Sequence, residues 1–269
     1  MNIATRQKTK IHKNERIYST AYNKQGDIMK IVEYNHYNDI LIEFQDEYRA
    51  RVKTRYDHFL SGGVNNPYHR SLYGVGMMGT KFKNPHKLEY KIWASMMCRC
   101  YNEKYSQVSH TYKDVACVEE WHLFENFYKW LHNQDNFENL KRESLRFALD
   151  KDIFIKGNKI YAPDRCFLVP QAVNNLFIRS EKTRGKYPIG VDFSNGVYRA
   201  VCSNGKGKLE QLGKANDVID AFNLYKNYKE KIIREVAKEN YKKGLITKAC
   251  YNAMLNYQVD FDDQKGQSE

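Results

Sequence analysis

No stretch of this chain approaches the ~18 consecutive apolar residues that a membrane-crossing helix requires, so membrane insertion is not expected. The opening residues MNIATRQKTKIHKNER carry charge without a following apolar segment, and export is not expected either. Cysteine is scarce: six residues in 269 are too few and too scattered for a disulfide scaffold. Without an export signal, these thiols are expected to stay reduced in a cytosol. Cys98, Cys100 and Cys117 invite a zinc reading, but no second Cys-x-x-Cys pair or spaced histidine pair follows. Free cysteine is among the most buried residue types, and structural thiols are the expectation.

Acidic charge is also short. The 32 Asp and Glu face 44 Lys and Arg, a formal net charge of +12. Hydrophobic residues make up 42% of the chain and include 13 Phe, 21 Tyr and 3 Trp, enough for buried cores and against global disorder. The excess charge sits at the two ends, and residues 180–248 alone hold 15 basic against 8 acidic side chains, a net of +7. A polyanion is the natural partner of such a segment, through summed electrostatics and counterion release. A lysine-rich surface that only keeps a protein soluble has the same arithmetic, so architecture has to decide.

Hydropathy patterning reads as a multi-module α+β chain. Residues 1–26 mix basic and polar types without periodicity and read as a basic flexible arm. Residues 27–87 hold three short β-type runs, IMKIVEY, DILIEF and YRARVKT, then a glycine-rich loop: a small antiparallel sheet module. Residues 88–179 begin with apolar stripes at helical spacing, over Tyr90–Tyr101 and over Glu120–His132, best read as core. They continue with a strand ending at Leu149, a polar hairpin at Gly157 and Asn158, a strand Cys166–Val169 and a helix from Pro170: a ββα unit. Residues 180–248 follow a basic linker with three strands and a long helix capped at Asn216 or Asp217, and residues 249–269 read as an acidic tail.

A three-stranded sheet with one face on a helix leaves the other face free, and such a surface can enter a major groove. The DNA-contact candidates are Arg184 and Lys186 in the linker and Tyr198, Arg199, Lys206 and Lys208 on the sheet. Tyr198 and Arg199 alternate, so one faces the helix and the other faces out.

A family resemblance covers about residues 90–243. Trp93, Met97, Arg99, Cys100 and Asn102, then Val115, Trp121, Phe124 and Phe127, then the strings Leu149-Asp150-Lys151-Asp152-Ile153, Gly157-Asn158, Tyr161-x-Pro163-x-x-Cys166 and Asn174-Asn175 resemble a bacteriophage family described as HNH-endonuclease-like or homing-endonuclease-like. GVDFSNGVYRAVCSNGKGKLEQLG and the helix after it resemble the sheet-reading DNA-binding domain of plant ethylene-response factors, also found in phage homing endonucleases. The resemblance implies a host bacterial cytosol, double-stranded DNA as partner and one divalent ion, Mg or Mn, held by Asp150 and by Asn174 or Asn175.

Lys151 then falls where the family's water-activating histidine belongs. A protonated lysine cannot take a proton from water at neutral pH. His110, His122 and His132 are the remaining candidates for a base, each more readily a surface or core residue. The expectation is a DNA-binding protein of homing-endonuclease ancestry, an HNH-type metal-dependent nuclease if an enzyme at all, with weak or absent cleavage. The rival is a non-catalytic protein that uses the same scaffold to bind and inhibit a host defence protein of nuclease, restriction or CRISPR type.

Overall fold

Alternating apolar residues from Ile28 onward build a sheet because every second side chain lands on one face. The computed structural model describes residues 15–82, 87–108, 114–142, 146–177, 187–205 and 207–261. It divides into two units, one running to Lys113 and including Cys117–Tyr128, the other comprising Asp114–Ala116 and the chain from Lys129. The class is α+β, with eight α-helices among the described residues.

The first unit opens with a four-stranded antiparallel sheet in the order β1 Thr20–Tyr22, β2 Ile28–His36, β3 Asp39–Phe44, β4 Arg51–Thr54. Met29, Ile31, Ile40, Ile42 and Phe44 are fully buried on one face, capped by Phe59 of α1 Tyr56–Leu60. The register slips between Ile31 and Glu33, which moves burial from odd to even positions and turns Tyr34 inward. β1 lies in the segment read as a flexible arm. A three-residue strand has no periodicity to read, and its pairing of Thr20 with Lys30 and Tyr22 with Ile28 creates it.

Two helices of the same unit, α2 Lys87–Tyr101 and α3 Glu103–Val108, follow. Trp93, Met96 and Met97 of α2 are fully buried, as are Trp121, Phe124 and Phe127, so both aromatic stripes serve packing. The Trp93 indole donates to the Trp121 carbonyl at 2.7 Å. The single helix read over Glu120–His132 is broken. A 3-10 turn spans Glu119–His122, Leu123 is extended, and α4 Phe124–His132 begins after it. The cause is tertiary: the Met77 amide donates to the His122 carbonyl and the Phe124 amide to the Met77 carbonyl, so Leu123 bridges to Met77 instead of continuing the helix.

In the second unit, α5 Phe137–Arg142 precedes β6 Phe147–Asp150, which pairs antiparallel with β8 Phe167–Pro170. The four-residue α6 Gln171–Asn174 leaves β8 directly, giving the ββα order; the short β5 Ala116–Cys117 precedes it in sequence, and β7 Ile160–Tyr161 lies in the connection between β6 and β8. The C-terminal sheet, in the order β11-β10-β9, comprises β9 Val191–Ser194, β10 Val197–Ser203 and β11 Leu209–Ala215.

The long helix α7 Val218–Lys242 joins these parts. Its 25 residues span ~37 Å at the α-helical rise. Asp217 caps it by accepting from the amides of Ile219 and Asp220. Its first half lays Ala221, Phe222 and Tyr225 on Val191, Ala200 and Cys202 of the sheet. Its second half lays Ile232, Ile233 and Ala237 on Val169, Val173 and Leu176 of the ββα element. One helix thus serves two cores, and a fragment cut at residue 180 would expose the second stripe.

The segment read as an acidic tail is structured through Phe261. Thr247 caps α8 Lys248–Leu255 by accepting from the Cys250 amide, and Cys250 and Met254 are fully buried against α7. The chain then returns along α7, where the buried Glu230 carboxylate accepts from the Val259 amide at 3.0 Å and from Arg234 at 2.9 Å. One glycine is indispensable to this unit. Gly190 has φ +75°, and a Cβ there would lie 2.0 Å from the Tyr225 ring. Gly190→Ala is expected to cost ~2 kcal/mol or more, from left-handed backbone strain and overpacking. A fall in the urea midpoint checks it, and an unchanged midpoint would mean that Tyr225 moves aside freely.

Candidate nucleic-acid interface and the ββα turn

The Asn195-Gly196 turn has φ +52° and +79°, the primed geometry of a two-residue hairpin, and so fixes the register of β9 on β10. Val197 pairs with Ser194, Tyr198 with Phe193, Arg199 with Asp192 and Ala200 with Val191. Ala200 and Val191 are buried toward α7, so Tyr198 and Phe193 share that side and Arg199 and Asp192 occupy the opposite one. Tyr198 packs its ring on Phe193 and Tyr187, with centroids 4.9 and 5.4 Å away. It closes the core edge, and Arg199 is the outward member of the pair.

Arg199 does not stand alone there. Its Nε and Nη2 donate to the two Asp192 carboxylate oxygens at 2.7 and 3.0 Å, a planar two-pronged pair that holds the guanidinium above its ordinary pKa. On its other side Arg199 is opposite Lys214, and a bulge between Ala200 and Val201 brings Gln211 opposite Val201 and Leu209 opposite Ser203. Gln211, Lys214, Leu209 and Ser203 are exposed. Lys208 is exposed in the turn before β11, where its amide donates to the Asn204 side chain. Lys206, Arg184 and Lys186 lie outside the described residues.

Sequence reasoning missed Asp192 and Lys214. The two-residue Asn-Gly turn was the signal for Asp192, because counting back from it puts residue 192 opposite 199. No comparable signal exists for Lys214, whose position depends on the bulge.

The inner face of β11 is tied to α7. Glu210 accepts from the Tyr228 hydroxyl at 2.6 Å and from Asn204 at 3.0 Å, which holds its carboxyl below the usual range and raises the tyrosine to about 12.

At the ββα hairpin, Asp150 ends β6 with only 6% of its surface exposed. Its Oδ1 accepts from the amides of Asp152 and Ile153 at 2.9 and 2.8 Å, the geometry of an aspartate-headed turn. Burial pushes its pKa up to about 6, with the Asp152 charge adding to the rise and the two amides opposing it. The same carboxyl acts on the buried Cys250 thiol of α8, whose pKa is raised first by burial and then by Asp150.

Lys151 is also buried, and its ammonium donates to both oxygens of Asp152 at 2.9 Å. Asn158 finishes the turn by donating to the carbonyls of Lys151 and Ile160 and accepting from the Ile160 amide. Asn174 is half-buried at the end of α6, and Asn175 is exposed and accepts from Gln171 at 2.9 Å. In the β6–β8 ladder Asp150 pairs with Phe167, whereas Pro170, from which α6 departs, pairs with Phe147.

Asp150 therefore fits a catalytic divalent ion poorly. One oxygen is committed to two amides, and its carboxyl is shut from solvent. Among the described residues no three His, Cys, Asp or Glu side chains converge as a metal would need. Of the other base candidates, His122 is bound to the Tyr101 hydroxyl at 2.8 Å, His132 packs edge-on against Phe137, and His110 lies outside the described residues.

No family model, curated protein or solved structure matches this chain. Among the described residues no helix is long and apolar enough to cross a membrane.

Proposed function

We propose that this protein binds double-stranded DNA through the outer face of its C-terminal sheet, on a scaffold of homing-endonuclease ancestry with weak or absent cleavage. The observation that carries the reading is the three-stranded sheet itself. One face is packed on α7, and the other presents Arg199, Gln211 and Lys214 in adjacent registers on strands of width suited to a major groove. Support also comes from the +7 of residues 180–248. Weak or absent cleavage fits a turn in which the buried Asp150 is spent on the Asp152 and Ile153 amides and the buried Lys151 ammonium on the Asp152 carboxylate.

The pairing of Arg199 with Asp192 gives the reading a specific test. Asp192 puts a negative charge beside the phosphates and occupies the guanidinium that would reach a guanine edge. Asp192→Ala is expected to tighten binding of the full-length protein to a labelled random duplex, by roughly three- to ten-fold at low salt. Arg199→Ala is expected to weaken it. Equal affinity for all three proteins would remove this face from the interface.

A protein partner is the second reading, and one feature favours it. Phe154 and Ile155 stand 55% and 43% exposed in the ββα turn, an apolar projection of the kind found at protein interfaces. Capture of a host defence protein from nuclease-treated lysate, lost on Phe154→Ser, would select it over DNA.

A further inference from the structure

A cluster of polarisable groups in the first unit serves neither reading. α2 brings Cys98, Cys100 and Tyr101 to its C-terminal turn, and Cys117 and His122 come from the segment that follows. Cys117 is buried, and its Sγ lies 3.6 Å from the Tyr101 hydroxyl and donates to the Met97 sulfur at 3.7 Å. The same hydroxyl meets the Cys117 amide at 3.4 Å and His122 Nε2 at 2.8 Å. Met97, Cys100 and Tyr101 lie three and four residues apart on one face of α2, and Cys117 touches both Met97 and Tyr101, so the Cys100 side chain shares the face that Cys117 packs on. The Cys100 thiol also helps hold Cys117 below the ordinary thiol pKa. Cys100 is half-buried, which leaves it the member of the pair that a small solute reaches.

We propose that Cys100 and Cys117 form a peroxide-responsive thiol pair that closes to a disulfide. Hydrogen peroxide transfers an oxygen to the Cys100 sulfur, giving a sulfenic acid and one water. The Cys117 sulfur attacks the Cys100 sulfur, the S–O bond breaks, and the departing hydroxide takes the Cys117 proton as a second water. Two electrons pass from the sulfurs to the peroxide, and no further reactant is needed.

The roles follow from accessibility and contact. The reachable thiol is oxidised first, and the buried one is held beside it by the Tyr101–His122 pair and resolves the intermediate. Bond formation brings the two sulfurs to about 2 Å.

Cys98 is excluded as a competitor by helix geometry. Residues two apart on an α-helix point ~200° away from each other, so Cys98 and Cys100 face opposite ways. Cys98 instead accepts from Asn102 at 3.6 Å and interacts with Tyr73.

The test uses the full-length reduced protein, treated with hydrogen peroxide, blocked with a maleimide and mapped as peptides without reduction. The expected product links the Cys100 and Cys117 peptides, is lighter by two hydrogens, and reverts with dithiothreitol. Cys98→Ser keeps the link. Cys117→Ser loses it and accumulates dimedone-trapped sulfenic acid at Cys100, roughly five-fold or more above the native protein. A native protein in which both thiols remain alkylatable after peroxide, or in which Cys98 is linked instead, overturns the proposal without reliance on any variant folding.

Discussion

Affinity of the full-length protein for duplex DNA is expected to fall ~100-fold or more between 50 and 200 mM salt. If Arg199, Lys208, Lys214 and their basic neighbours neutralise about four phosphates, the slope of log K against log salt is about −3.6, because each neutralised phosphate releases close to one condensed counterion. Lys214→Ala should reduce that slope by about one, and Lys208→Ala should do the same. Both side chains are exposed, so neither change should alter the unfolding midpoint. Fluorescence anisotropy across a salt series measures the slope. A flat response, or no binding at 50 mM, would count against the DNA reading and leave the Phe154–Ile155 projection as the better lead. The whole chain is the right reagent, since α7 also carries Ile232, Ile233 and Ala237 of the neighbouring core.

How far the sequence led can be judged on particular residues. Period-two alternation gave β2 and β3, and helical spacing gave the buried Trp93, Met96 and Met97, because those patterns follow from burial of one face. The ββα order and the Asp217 cap were legible for local reasons of the same kind. β1, by contrast, exists only through its pairing with β2, and the break at Leu123 exists only through its bridge to Met77.

The final segment was misread because Asp260, Asp262 and Asp263 dominated its composition. Thr247 followed three residues later by buried Cys250 was a readable cap. At the candidate site, the sequence held no information that Cys250, one hundred residues on, would face Asp150. Long-range neighbours of this sort decide whether a carboxylate is a ligand or a buried cap, and no local pattern encodes them.

The two roles of Asp150 make opposite predictions for Asp150→Asn. An ordinary aspartate titrates near 3.8, and in the folded chain burial raises this one to about 6. A raised folded-state pKa means that the protonated carboxyl is the favoured form. The group's stability is fully present below about 3.8 and is lost as pH rises through about 6. Above that window the buried charge costs about 3 kcal/mol, the two-unit shift converted at 1.36 kcal/mol per unit.

Asparagine keeps a carbonyl oxygen for the amides of Asp152 and Ile153 and removes the charge. Asp150→Asn is therefore expected to raise the thermal midpoint at pH 8 by ~5 °C or more, with the gain shrinking toward pH 4. Asp150→Ala strands both amides and is expected to fall ~1–3 kcal/mol below the asparagine variant at either pH. If Asp150 instead held a catalytic ion, Asp150→Asn would abolish Mg²⁺- or Mn²⁺-dependent nicking of supercoiled plasmid that the native protein performs rapidly. Scanning calorimetry at the two pH values beside that nicking assay separates the roles. A stabilised, still inactive variant fits the buried cap, and a destabilised variant that has lost a fast nicking activity restores the nuclease.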